Sequence, residues 1–353
     1  MADSTAALLW AACRPELSKS AIEAALSAGA DLDTAVQVAI AQRVSPLLHR
    51  GLQSTLGASD GQDWATSLER DAVRCYAQSQ LVLPQIGGLV LEPLNRAGIE
   101  PLVIKGGALA PRYDHLGLRP MDDIDIVVSA SQAEATIATL TPLGWKQHRP
   151  PERRRFEVDL THPALPGLHI DLHRDLSNWR TRSNRLTAAG LWASRRPAEL
   201  YGAPAFVLPV ETEVVMLAAH AAKPYHTFDR LIWIADIAVA AKEGIDWDAV
   251  ATIAANAHCR RALAVALTQA ARLGTNSPDE LRQIDSEPGG PVDQVLSPDW
   301  PTTPRTGAVR IALRYALVDD RRTRAVLAVG EVFDKTVWSV PVRTARLVRR
   351  SLR

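Results

Sequence analysis

Apolar side chains recur at helical spacing through the first hundred residues. Leu8, Leu9, Ala12 and Leu17 open the pattern, and Ile22, Ala25 and Leu26 continue it up to Gly29, a natural helix stop. Asp33 is placed to cap the next helix, DTAVQVAIAQRVSPLLHRGL, which Pro46 interrupts. From Trp64 to Gly98 there are few strand-like features, so the chain predicts one long helix or two shorter ones divided at Pro84. Residues 1–97 read as an all-helical lobe.

The period changes at Ile99. IEPLVIKGG is a short apolar run ending in two glycines, as a strand entering a turn reads. A helix-compatible piece, ALAPRYDHLG, leads to PMDDIDIVVSA, a strand rich in β-branched residues. SQAEATIATLTPLG is an amphipathic helix ended by Gly144, and three strand-like segments follow, the last being GLHIDLHRDL. Residues 98–180 thus predict a β-α-β-α-β-β-β unit with a small mixed sheet. Helical periodicity returns over residues 181–274. Residues 275–306, rich in Pro, Ser, Gly and Asp, read as a surface loop, and a further helix and a basic end complete the unit 275–353. The expected class is α+β, a small mixed-sheet core flanked by N-terminal and C-terminal helical units.

Composition narrows the classes. With 353 residues, 47% of them hydrophobic, the chain can bury two or three packed units. A net charge of +1 provides no global field toward nucleic acid or anionic lipid. No run approaches about 18 uncharged apolar residues, and the opening MADSTAALLWAACRPELSKS lacks a signal-peptide pattern. Cys13, Cys75 and Cys259 are far apart and form no CxxC pair, which fits packed, reduced thiols and a cytoplasmic location.

Three motifs carry the chemistry. In DDIDIVV, strand alternation points Asp123 and Asp125 to one face while Ile124, Ile126 and Val128 point to the other. Two carboxylates side by side repel unless a cation lies between them, and Mg2+ suits hard oxygen ligands. The alternative is a solvated Asp pair at a strand edge. In HIDLH, His169, Asp171 and His173 share a face; if that strand lies beside the first, Asp171 becomes a third carboxylate of one site. Three carboxylates can hold two Mg2+ ions about 4 Å apart. A zinc site on His169 and His173 is the weaker alternative, since the flanks are strand-like and no cysteine is near. His173 either orients Asp171 or packs within the sheet. Third, Lys105, Gly106 and Gly107 stand between a strand and a helix, where backbone can approach phosphate closely. Arg119 is placed to clamp phosphate oxygens, or to pair with Asp114 or Asp122.

Together these residues resemble the nucleotidyltransferase superfamily with the polymerase-β-like fold. IKGGALAPRYDHLGLRPMDDIDIVV, then HIDLH, then LAAHAAKPYHTFDRLIWIADIAVAA are similar to a bacterial family of uncharacterised nucleotidyltransferases, over roughly residues 30–265. The resemblance implies a triphosphate held between the sheet and the following helical unit. It assigns Asp123, Asp125 and Asp171 to catalysis and to two Mg2+ ions, with Mn2+ as the alternative metal. It assigns Lys105, Gly106, Gly107, Arg119, His220 and Lys223 to the nucleotide, with ATP the first NTP to test. Tyr225 and His226 are candidates for stacking on the base. Asp229 and Arg230 belong to the same stretch, and Asp236 reads as a structural partner among Trp233, Ile234 and Ile237. The acceptor expected first is a small hydroxylated molecule, then a protein or peptide hydroxyl, then RNA. Arg343, Arg346, Arg349, Arg350 and Arg353 keep RNA open. Another group transferase, or a nucleotide-binding protein without catalysis, are the rival classes.

Overall fold

The structure is a computed structural model that describes residues 3–57, 63–148, 157–176, 183–242, 244–319 and 322–325. The arginines of the basic tail lie outside the described residues. The helices before the sheet are α1 (Ser4–Ala12), α2 (Lys19–Ser27), α3 (Leu32–Ala41), α4 (Ser45–Leu56), α5 (Asp63–Val82) and α6 (Glu92–Arg96). The caps differ in detail from the sequence reading. Asp31, not Asp33, accepts a hydrogen bond from the Thr34 amide at 3.2 Å, and Asp33 sits in the first turn of α3. Pro46 lies in the first turn of α4, where its missing N–H costs nothing. The break between α3 and α4 is made instead by Arg43, whose φ of 63° is left-handed.

The strands are β1 (Leu102–Ile104), β2 (Asp123–Val127), β3 (Lys146–Gln147), β4 (Glu157–Thr161), β5 (His169–His173), β6 (Arg196–Leu200) and β7 (Ala203–Val207). They form one mixed sheet in the order β3-β4-β5-β2-β1-β7-β6. Between them lie α7 (Gly106–Leu109), α8 (Ala133–Leu140) and α9 (Ala188–Ser194). The predicted order of strands and helices from β1 to β5 is the one observed. The hairpin β6–β7 is additional, in a stretch whose sequence reads as helical. Its turn, Tyr201-Gly202, has positive φ at both residues (54° and 74°), the geometry that matches strand twist. Pro197 and Pro204 and the scarcity of β-branched residues hide these strands from the pattern.

Alternation along the strands divides the interior in two. Val103, Ile124, Ile126, Val158, Leu160, Ile170 and Leu172 pack with Val90, Leu94, Ile137, Leu140 and Trp145 on one face. Leu102, Ile104 and Val127 point the other way, into a core shared with the helical units. Those units include α10 (Val210–Ala221), α11 (Leu231–Ala240), α12 (Trp247–Asn256), α13 (Arg260–Arg272), α14 (Asp279–Arg282), α15 (Pro291–Leu296) and α16 (Gly307–Ala316). Every residue of α11 is buried, Asp236 among them, so this helix is enclosed on all sides and sits centrally. The 275–306 stretch is more than a surface loop. Val292, Val295 and Trp300 are buried, and the Trp10 indole donates to the Pro298 carbonyl at 2.7 Å. No helix among the described residues is long and apolar enough to cross a membrane.

Candidate active site

β2 and β5 run parallel and adjacent, with Asp123 opposite His169 and Asp125 opposite Asp171. Paired residues on neighbouring strands project to the same face. The condition on which Asp171 joins the Asp pair is therefore met. β4 runs antiparallel on the far side of β5, placing Asp159 opposite Asp171 and Glu157 opposite His173. Five carboxylates on three strands thus share one face. Glu157 and Asp159 were not singled out from sequence, although EVDL repeats the same two-residue alternation of acid and aliphatic as DIDI.

The carboxylates are not equivalent. Asp125 is 4% exposed, and its Oδ1 accepts from Lys105 Nζ and, at 2.6 Å, from His173 Nε2. Burial alone would raise its pKa, but the Lys105 charge and the His173 hydrogen bond outweigh it and hold Asp125 well below the usual carboxylate range. His173 therefore orients Asp125 rather than Asp171. Asp171 has the opposite environment. Its Oδ1 is buried without a hydrogen-bond partner, and His169 Nε2 stands 3.6 Å away, too far for one. Burial, then the charges of Asp125, Asp123, Glu157 and Asp159, push its pKa up to about 8. Asp123, His169 and Asp171 each offer a ligand atom within 4.8 Å of the others. Two carboxylates, one of them carrying an orphaned buried oxygen, and an imidazole make a donor set that fits a divalent cation.

The phosphate-type residues are arranged differently from expectation. Lys105 follows β1 and precedes α7 with a φ of 54°, and its side chain goes to Asp125. A Cβ on Gly106 would lie 2.4 Å from an Arg119 guanidinium nitrogen, and one on Gly107 would lie 2.8 Å from a Val103 methyl. Packing alone therefore accounts for both glycines. Arg119 is 8% exposed and is bound to Asp236, not to Asp114 or Asp122: its NH2 donates to Oδ2 at 2.7 Å and its Nε to Oδ1 at 3.2 Å. Tyr113 also donates to Asp236, at 2.8 Å. Asp236 is thus the buried structural partner that its apolar surroundings suggest, and Arg119 serves the packing of α11 rather than presenting a clamp.

Lys105, His220 and Lys223 do converge, lining one small cavity with Leu176 and Met216. Lys223 Nζ donates to the Leu176 carbonyl at 2.7 Å; burial and then the Lys105 charge bring its pKa down to about 8. The His220 ring packs on His226 at 4.4 Å and edge-on against Trp233 at 5.3 Å. His226 is held in that cluster, while Tyr225 is exposed beneath the Arg314 guanidinium.

The profile of a protein family described as "Uncharacterised nucleotidyltransferase" matches residues 28–275, more than half of the chain. The chain belongs to that family. The matched span runs through the sheet, all three strands of the acidic face and helices α10 to α13, so membership and geometry bear on the same residues. No curated protein and no solved structure matches the chain.

Proposed function

We propose that the β2–β5 face transfers a nucleoside monophosphate from a nucleoside triphosphate to a hydroxyl acceptor, in the manner of the polymerase-β-like superfamily. The observation that carries this reading is the register of Asp125 with Asp171. Asp123, Asp125 and Asp171 hold divalent cations, Mg2+ first and Mn2+ as the alternative, with His169 as a further donor. Asp125 would do so through Oδ2, the oxygen that neither Lys105 nor His173 bonds. A cation bound there neutralises the carboxylates and polarises the phosphate oxygens.

The remaining work falls to the side chains. Asp171 Oδ1, which has no hydrogen-bond partner, takes the proton of the acceptor hydroxyl. The acceptor oxygen bonds to the α-phosphorus as the bond from that phosphorus to the bridging oxygen breaks, and pyrophosphate leaves in line. Lys105 and His173 fix the Asp125 carboxylate so that it does not swing during turnover. Lys223 and His220 flank Lys105; Lys223 adds positive charge and the neutral His220 ring adds shape beside the nucleotide. A small hydroxylated acceptor comes first and a protein or peptide hydroxyl second; the near-neutral charge of the chain ranks RNA third.

Incubation of the protein with Mg2+, each NTP in turn and a small-molecule cell extract, followed by mass spectrometry, should reveal a product heavier by one nucleoside monophosphate. Absence of any such product with all four NTPs, in Mg2+ and in Mn2+, and with protein and RNA fractions as well, contradicts the proposal.

A further inference from the structure

With Arg119 committed to Asp236, the charge needed to hold a polyphosphate must come from elsewhere. Two other arginines meet at the open end of β2. Arg43 NH1 donates to Asp122 Oδ2 at 2.6 Å, one residue before Asp123. Arg43 occupies the left-handed turn between α3 and α4, a conformation that is unfavourable for a residue with a Cβ. The turn is fixed by Val44 N donating to the Ala39 carbonyl at 2.8 Å. It is also fixed from α11, whose Leu231 amide donates to Gln42 Oε1 at 2.8 Å.

That bond places Arg230, the residue before α11, beside Arg43. The charged groups bearing on the Arg230 guanidinium are Arg43, Asp122, Asp123 and Arg119. Among the described residues Arg230 makes no ion pair; its guanidinium lies 5.5 Å from the Trp233 ring centroid. The approach to Arg230 is itself built at a cost. Thr227 and Phe228 are both left-handed, at φ 45° and 57°, and both are buried. Arg305 donates to both of their carbonyls, at 2.6 and 2.9 Å, and pairs with Asp229. Two strained turns on separate elements therefore converge to bring like charges together beside Asp123. Asp122 answers the Arg43 charge, whereas Arg230 stands beside that pair, among the described residues, with no ion pair of its own, free to take a further anion.

We infer that Arg43 and Arg230 form the polyphosphate clamp of this site, binding the β- and γ-phosphates of a nucleotide whose α-phosphate lies at Asp123 and Asp171. The planar guanidinium donates two parallel hydrogen bonds to phosphate oxygens, which a lysine cannot do. This rests on the nucleotidyl-transfer reading and adds the residues that would hold the leaving pyrophosphate.

The test is calorimetric titration of the full chain in Mg2+ with inorganic triphosphate, each NTP and the matching NMP. Arg230→Gln and Arg43→Gln should each weaken triphosphate and NTP binding by about tenfold or more, as for a lost charge-assisted hydrogen bond. NMP binding should change far less, and Arg230→Lys should recover part of the loss. Arg230 is exposed, so its variants keep the fold even if Arg43→Gln does not, and thermal melting checks both. If the wild-type chain binds an NTP and both glutamine variants bind triphosphate equally tightly, the clamp is overturned while the nucleotidyl-transfer reading stands. If the wild-type chain binds no NTP in Mg2+ or Mn2+, both are overturned.

Discussion

Arg119 shows how one residue's role can invert between sequence and structure. Next to a metal-type strand its guanidinium reads as a phosphate clamp, yet its partner is Asp236, 117 residues further on. Nothing in the local pattern could supply that pairing. Its consequence is measurable. Arg119→Met should destabilise the fold by about 3–5 kcal/mol, because it strands a buried Asp236 carboxylate, and urea unfolding should report it. A phosphate clamp would instead leave stability unchanged and weaken nucleotide binding alone. Gly106→Ala should act through the same contact, costing about 1–3 kcal/mol as the new methyl displaces the guanidinium. Asp123, Asp125 and Asp171 were legible because each alternates with aliphatic residues in a short strand. Their inequality was not, since it depends on Lys105 and His173 reaching Asp125 and on no donor reaching the buried Asp171 Oδ1.

At the level of elements, alternation identified β2 and β5 and their inward faces, while adjacency and register required the three-dimensional structure. β6 and β7 escaped because prolines and a Tyr-Gly turn replace the usual strand signals. On α10 and α11 the aromatic cluster of His220, His226 and Trp233 makes a pH prediction. Burial first, then the nearby Lys223 charge, brings the pKa of His226 down to about 3, and burial holds His220 well below its ordinary value. The unfolded chain binds protons near pH 6.5 that the folded chain refuses. Stability contributed by the neutral rings is complete above about pH 6.5 and is lost as pH falls below it, at up to about 1.4 kcal/mol per pH unit for each group. Urea midpoints should therefore drop between about pH 6.5 and 4.5, and His226→Asn should flatten that dependence. An unchanged slope in the variant would remove His226 from the account.

Over the whole molecule, the ends of the described chain close on one another around the family-matched span. Trp10 and Trp300 pack with ring centroids 5.8 Å apart, and the Asp3 amide donates to Asp299 at 2.8 Å. Trp300→Ala should cost about 3–5 kcal/mol, lowering Tm, which a surface loop would not do. The Pro-, Ser- and Gly-rich composition of 275–306 concealed this, because a few scattered buried residues among many turn-formers leave no periodic trace. The central claim, that the carboxylate face performs metal-dependent nucleotidyl transfer, is tested most directly by pyrophosphate release. In Mg2+ with an NTP and acceptor-containing extract, the wild-type chain should release pyrophosphate, and Asp123→Ala and Asp171→Asn, each melting as a folded protein, should lose at least about a hundredfold of that rate. Turnover undiminished in either variant would contradict the assignment of this face as the reacting centre.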